Sequence, residues 1–427
     1  MIANLLNTVG TRSLSMLLNF LLVIASTHLL GADGRGVIGI FIATYSMIMM
    51  FIQFIGGSPI IYLSNKHSYG HLLFPSYIWS LIVGGFAYGV LCLYPALDED
   101  YQVHICLIAI LHSLWMVNSF VLMGKERVKD HNLLQLLYIL FLMVGFISIY
   151  SLAFSSVYAY IYALYIANVI VLVLSVILVI PDWRSSLINV EASFSQTLKK
   201  LLSLGFWAQS ANLLQFLNYR LSYFILISYV SIGNIGIYSA AIQVGEALWI
   251  IAKSFSLVLY ARVSNEADEQ KAQNISLILA KFSFIFTTFL CILILLIPDS
   301  LFQVIFGDDF IGISKLLLYL FPGISAFGFS ILISSYFSGI GKFYINTLSS
   351  FIGLIITIIA CYLLIPVYGT TGAAIATSFS YCTSALFLVI CFIRFRKISI
   401  LYLLPRKKEL IDLIAIIRNS WLSFNTK

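Results

Sequence analysis

Of 427 residues, 61% are apolar and only 10% charged, with a mean hydropathy of +1.01. A soluble domain carries roughly 25% charged residues, so this composition cannot clothe a globule in polar surface, and a water-soluble fold is excluded. The formal net charge of +7 is distributed in a way that, as shown below, speaks against nucleic acid.

A helix needs about 20 apolar residues to cross a hydrocarbon core roughly 30 Å thick. That rule predicts twelve spans: 8–30, 37–63, 72–94, 102–123, 132–153, 158–180, 201–228, 237–261, 275–297, 315–339, 347–365 and 373–393. The breaks are short and carry turn or charge signals, as in Gly31-Ala-Asp-Gly-Arg-Gly36, Asp98-Glu-Asp100, Gly124-Lys-Glu-Arg-Val-Lys-Asp130 and Gly369-Thr-Thr-Gly372. Helices are expected rather than barrel strands because the apolar runs are continuous and do not alternate with a period of two. The first span is too long for a signal-peptide core and no small-residue cleavage site follows it, which predicts an uncleaved start.

Lysine and arginine set the orientation. With the N-terminus cytoplasmic, 20 of the 24 basic residues fall on the cytoplasmic side, Lys281 among them. Only Arg35 and Lys315 fall outside, and Arg220 and Lys253 within spans. Both termini are therefore expected in the cytoplasm of a multi-pass inner-membrane protein. The charge faces anionic membrane lipids rather than nucleic acid.

The longest inter-span stretch, 181–200, is polar and falls midway. It divides the chain into an N-lobe of six spans (1–180), a linker (181–200) and a C-lobe of six spans (201–395). A tail follows (396–427), whose Arg406-Lys-Lys408 and Trp421 suit an interfacial helix. Ile38-Gly-Ile-Phe41 echoes Ile235-Gly-Ile-Tyr238, and Gly124-Lys125 echoes Gly341-Lys342. The expected fold is thus all-α and integral to the membrane, with twelve transmembrane helices in two six-helix bundles related by a pseudo-twofold axis along the membrane normal.

Ionisable and polar groups within spans are costly and usually face protein or a wet cavity. In the eighth span Glu246 and Lys253, seven residues apart, share a helical sector with Gln243 and Ser239. Glu246 falls about 14 Å into the span, near the midplane. The seventh span carries Gln209, Asn212, Gln215, Asn218, Arg220 and Ser222. In the first, Thr8, Arg12, Ser15, Asn19 and Ser26 form one stripe. These residues predict an aqueous cavity between the lobes, which Arg12, Arg220 and Lys253 would make attractive to an anion, with phosphate held by arginine forks and a lysine point charge. The competing readings are snorkelling for Arg220, anchoring for Arg12 and a structural polar seam for Glu246. His112, Asn118 and Asn168 are weaker members of the same set. Gly56-Gly-Ser-Pro59 and Pro322-Gly323 are candidate bending points.

Six cysteines without a CxxC or histidine pairing read as buried or lipid-facing apolar groups. No phosphate loop, catalytic carboxylate pair or zinc signature is present, so no cofactor is called for. The longest outer loop, about 298–314, is too small for a catalytic domain, and an enzyme is not expected.

The stretches Leu30-Gly-Ala-Asp-Gly-Arg-Gly36, Asn218-Tyr-Arg-Leu-Ser222, Ile235-Gly-Ile-Tyr-Ser-Ala-Ala-Ile-Gln-Val-Gly-Glu246 with Lys253-Ser254, Tyr336-Phe-Ser-Gly-Ile-Gly-Lys342 and Ile365-Pro-Val-Tyr-Gly-Thr-Thr-Gly-Ala-Ala-Ile-Ala-Thr377 resemble the polysaccharide transporters of the multidrug/oligosaccharidyl-lipid/polysaccharide exporter superfamily, and within them the O-antigen (Wzx-type) flippases. The match runs over most of 1–395. The resemblance implies a MATE-like fold that moves an undecaprenyl-pyrophosphate-linked oligosaccharide, such as an O-antigen repeat unit of lipopolysaccharide, from the inner to the outer leaflet. A polysaccharide polymerase and a chain-length regulator are its expected partners. Arg12, Asn19, Asn212, Asn218, Arg220, Gln243 and Lys253 would then bind pyrophosphate and sugar, and Glu246 would couple an ion. Two departures stand out: Ser222 replaces an acidic residue common in the family, and Ala261 a proline. The rival readings are an exporter of cationic small molecules on the same fold, which predicts an acidic cavity, and a membrane glycan polymerase or ligase, which predicts a long outer loop.

Overall fold

The computed structural model describes residues 2–57, 59–64, 67–153, 155–186, 193–265, 268–397 and 402. The expected interfacial helix of the tail lies outside the described residues. The structure is helical throughout: α1 (Ile2–Gly56), α2 (Pro59–Leu63), α3 (Tyr69–Leu93), α4 (Glu99–Gly124), α5 (Val128–Leu152), α6 (Val157–Ser186), α7 (Phe194–Leu226), α8 (Ile232–Ala247), α9 (Ile250–Asn265), α10 (Glu269–Leu295), α11 (Asp299–Phe306), α12 (Ile313–Gly339) and α13 (Phe343–Arg396).

By length and apolarity eight of these helices qualify as membrane spans, or nine with α8 and α9 counted together. The number rises once the longest are resolved. α1 and α13 run 55 and 54 residues, about 80 Å each at 1.5 Å per residue. A single glycine breaks each: Gly31 at φ 67°, ψ −173° and Gly369 at φ 55°, ψ −129°. Only a residue without a Cβ adopts such angles cheaply. Ser349 Oγ donates to the Ser384 carbonyl at 2.9 Å and Ser380 Oγ to the Gly353 carbonyl at 2.8 Å. Each pair is centred on the same point just before Gly369, so α13 is an antiparallel pair of spans. At the α1 break, a Cβ on Gly34 would stand 2.6 Å from Leu30 Cβ, where an unbroken helix keeps residues four apart at about 5–6 Å. Halving α1 and α13, and taking α8 with α9 as one bent span, gives eleven stretches. α7, 33 residues long but not among the qualifying helices, would be the twelfth, so the architecture fits the twelve spans expected from the sequence.

The chain forms two compact units. The first contains 1–240 together with 299–313. Here α5 packs on α6, α3 on α4, and α1 on both α5 and α7. Its core gathers Trp115, Leu122, Leu134 and Val171 with Ile60, Tyr69 and Leu201. α11 lies against α1: Val304 O meets His28 Nε2 at 2.8 Å, and Asp309 Oδ2 accepts from the Ala32 N–H at 3.3 Å, just past the Gly31 break. α1 ends at Gly56 and the chain resumes at Pro59, one of the expected bending points.

The second unit contains 241–298 and 314–427. Tyr336, Phe337 and Phe392 pack together in its core with Leu332, Ala280 and Leu259. The other expected bending point, Pro322, sits inside α12. Proline breaks the helix's own ladder, and the next N–H, that of Gly323, turns to Ser378 Oγ at 2.9 Å. Lys281, counted from the sequence among cytoplasmic loop charges, is instead buried at 4% exposure within α10. The expected span 275–297 already contains Lys281, and the helix upholds the span over the loop count.

The second sequence echo needs a shift in register. α4 and α12 end in the same hydrogen-bonded turn: Arg127 N–H to Leu122 O with Glu126 at φ 61°, and Lys342 N–H to Phe337 O with Gly341 at φ 76°. Gly124 therefore corresponds to Gly339, and Arg127 to Lys342.

Candidate functional site

In a bilayer, helices associate through close packing of small residues, and the first unit has such a crossing between α1 and α8. A Cβ on Gly36 would overlap the Ile232 carbonyl oxygen, and one on Gly236 would overlap that of Ala32. Gly39 faces Ser239, whose Oγ lies 3.2 Å from where a Cβ would be. Gly39 and Gly236 belong to the first sequence echo, so the two echoing segments pack on one another.

This close approach encloses Arg35. From sequence alone that residue is expected in an outer loop. In the structure it lies in the first turns after the Gly31 break and is 2% exposed. Six residues of glycine-rich sequence look like a loop, but Ala32 and Gly36 are also the small-x-x-x-small spacing of a membrane helix interface, the one signal that could have found it. Arg35 Nη1 donates to Ser26 Oγ at 3.2 Å and Nη2 to Ser239 Oγ at 3.3 Å. Its Nε is buried with no hydrogen-bond partner among the described residues. Tyr160, Tyr223 and Arg220 lie within electrostatic range. No carboxylate is among these contacts. A buried charge in low dielectric costs several kcal/mol unless paired, and a second guanidinium nearby adds to that cost.

Arg220 is half-buried, its guanidinium over the Tyr223 ring at 5.7 Å. Tyr223 meets Tyr238 edge-on at 5.4 Å, and Tyr238 OH shares a hydrogen bond with Ser222 Oγ at 2.9 Å. Thus Ser222, standing where an acidic residue was expected from the resemblance, is occupied with a tyrosine. Asn218 is buried one turn before it.

The other residues singled out from the sequence are spread more widely. Asn19 is exposed and bonds back to Ser15 O at 2.9 Å, while Ser26 of the same stripe is buried and reaches Arg35. The side chain of Arg12 lies outside the described residues. Asn212 is exposed and donates to Gln209 Oε1 at 3.0 Å. His112 and Trp115 Nε1 both donate to Asn168 Oδ1, at 3.0 and 2.9 Å. Asn118 bridges Tyr77 OH at 2.6 Å and Ser175 at 3.0 Å. His112 with Asn168, and separately Asn118, thus have side-chain partners within the first unit.

In the second unit, the eighth span is not one helix. α8 ends at Ala247 and α9 starts at Ile250, with a bend of 46° between. Trp249 N–H reaches Glu246 O at 3.2 Å, and its indole N–H donates to Ile324 O at 2.8 Å. The shared helical face assigned to Glu246 and Lys253 assumed unbroken periodicity and does not hold across this bend. Glu246 and Gln243 are half-buried in the last turns of α8. Lys253 is exposed on α9, its ammonium 5.5 Å from the Trp249 ring centroid.

All six cysteines are free, and among the described residues no group of His, Cys, Asp and Glu is placed to hold a metal. The arrangement offers hydroxyl and guanidinium donors, which suit an oxyanion.

A family model described as "Polysaccharide biosynthesis protein" matches residues 27–315. No curated protein sequence matches significantly. Among solved structures, the chain is similar to a multidrug resistance MATE family transporter of the MOP superfamily in its inward-facing conformation, at 17% identity and TM-score 0.71, covering 90% of this chain and 96% of that one. It is also similar to the lipid II flippase MurJ in an inward closed conformation, at 14% identity and TM-score 0.73, covering 97% and 92%. The outward-facing MATE conformation matches at 16% identity and TM-score 0.60, covering 93% and 97%.

Proposed function

The chain belongs to the polysaccharide biosynthesis protein family and has the fold of membrane transporters, and from that premise we propose that it flips a lipid-linked oligosaccharide, built on a polyprenyl pyrophosphate, across a bacterial inner membrane. The observation that carries this reading is the Arg35–Arg220 pair. Two guanidinium groups lie within electrostatic range of each other, one of them buried without a carboxylate among its described contacts. A cationic cargo calls for acidic residues at such a place, whereas a pyrophosphate calls for arginines.

In this mechanism the six-helix lobes, 1–180 and 201–395, open alternately to the two leaflets, with both termini in the cytoplasm. The pyrophosphate and sugar pass through a cationic cavity while the polyprenyl chain stays in lipid. Arg12, Arg220 and Lys253 attract the pyrophosphate, with Arg35 added to them. Asn19, Asn212, Asn218 and Gln243 bind the sugar, and Glu246 couples an ion. A polysaccharide polymerase and a chain-length regulator act on the delivered unit.

The test is translocation of a fluorescent polyprenyl-pyrophosphate oligosaccharide in proteoliposomes. Transport by the wild type, lost in Arg220→Gln, is expected. Export of cationic dyes without movement of the glycolipid would instead establish the small-molecule reading.

A further inference from the structure

A second site of different character lies in the second unit, where the start of α10 meets the end of α13. A cavity of about 410 Å³ is lined there by Glu269, Gln273, Asn274, Leu277, Arg396 and Lys397, among others. From Glu269 to Leu277 is about 12 Å along the helix. The Glu269 end of the cavity is therefore ionic and the Leu277 end apolar.

Its charges are arranged with opposite signs side by side. Arg396 Nη1 pairs with Glu269 Oε2 at 2.9 Å. The arginine side chain is nine-tenths buried, whereas the glutamate is 81% exposed, leaving most of its carboxylate available. The buried Arg396 Nε has no hydrogen-bond partner among the described residues. The guanidinium is held in place from behind by the Tyr336 ring, 5.0 Å away. Lys342 stacks on Phe395 at 3.6 Å and adds a further positive charge nearby. Gln270 and Lys271 N–H groups are already capped by Asp268, so the α10 N-terminus is not itself the binding element.

We infer that this cavity binds the headgroup of a zwitterionic aminophospholipid, with the phosphate on Arg396 and Lys397 and the ammonium on Glu269. The argument is one of complementarity. A phosphate alone would be drawn to the two cations but repelled by Glu269. An ammonium alone would face the reverse. A headgroup carrying both places its phosphate beside the two cations and its ammonium on the exposed carboxylate. The apolar wall at Leu277 suits the glycerol and first methylenes of a lipid, and gives no advantage to a soluble phosphoethanolamine.

The test is native mass spectrometry of the delipidated full-length protein, offered phosphatidylethanolamine and phosphatidylglycerol in equal amounts, with Glu269→Gln in parallel. Glu269 is exposed, so that variant folds whatever the role of the site. One charge-assisted hydrogen bond predicts a preference for phosphatidylethanolamine of about tenfold. The preference should fall to near unity in Glu269→Gln, and Arg396→Gln should weaken retention of both lipids. Equal retention of the two lipids by the wild type, or a preference unchanged in Glu269→Gln, would overturn the assignment. So would thermal stabilisation by soluble phosphoethanolamine equal to that by the lipid.

Discussion

Arg35 Nη2 donates to Ser239 Oγ at 3.3 Å, joining positions 204 residues apart in the chain. The bond exists because Gly36 and Gly236 let two helix backbones meet at the same level, so that a short serine can reach the guanidinium. A charge read from sequence as a surface loop residue is thereby enclosed at the centre of a helix crossing.

The crossing itself is testable by filling it. Gly236→Leu would drive a side chain into the Ala32 carbonyl, and overpacking of this kind costs about 1–3 kcal/mol. Thermal unfolding in detergent should show a lowered midpoint, with a smaller loss for Gly236→Ala.

Arg35→Met separates stability from transport. The substitution leaves no orphaned carboxylate among the described contacts, and replacing a buried charge by an apolar group of similar length is often neutral or stabilising. The variant should fold with an unchanged or raised unfolding midpoint. Glycolipid translocation in proteoliposomes should drop about tenfold or more, the worth of a lost charge-assisted hydrogen bond.

At the Pro322 bend, Ser378 accepts the Gly323 N–H at 2.9 Å. Ser378→Ala should cost about 0.6–1.7 kcal/mol, the range for hydrogen bonds between membrane helices. In a Pro322→Ala background Gly323 regains access to its own helical acceptor, so the same serine change should cost less. A double-mutant cycle on unfolding midpoints reads the difference.

For Glu246, in the last turn before the α8–α9 bend, the ion-coupling role predicts a specific change in Glu246→Gln. The dependence of translocation on an imposed ion gradient should flatten, while glycolipid binding persists. Retained gradient dependence would remove Glu246 from the coupling role.

Much of the fold was legible in the sequence. Long apolar runs predict an all-helical membrane fold, and Gly31 and Gly369 sit in the breaks where α1 and α13 are interrupted. The site was legible in part. Arg220, Asn218 and Ser222 stood out because polar groups in an apolar run are conspicuous. Arg35 did not, because a charge among glycines carries no such contrast. The common face of Glu246 and Lys253 was also misread, because periodicity extrapolates a straight helix and nothing in the intervening residues announces a 46° bend.

The sequence by itself determined the solvent and the helical class, because partition between lipid and water is a sum over local side chains. Only the tertiary structure decided that Arg35 and Lys281 are buried and that Gly36 and Gly236 share one crossing. Burial depends on which backbone passes a residue from elsewhere in the chain, and no local sum contains that information.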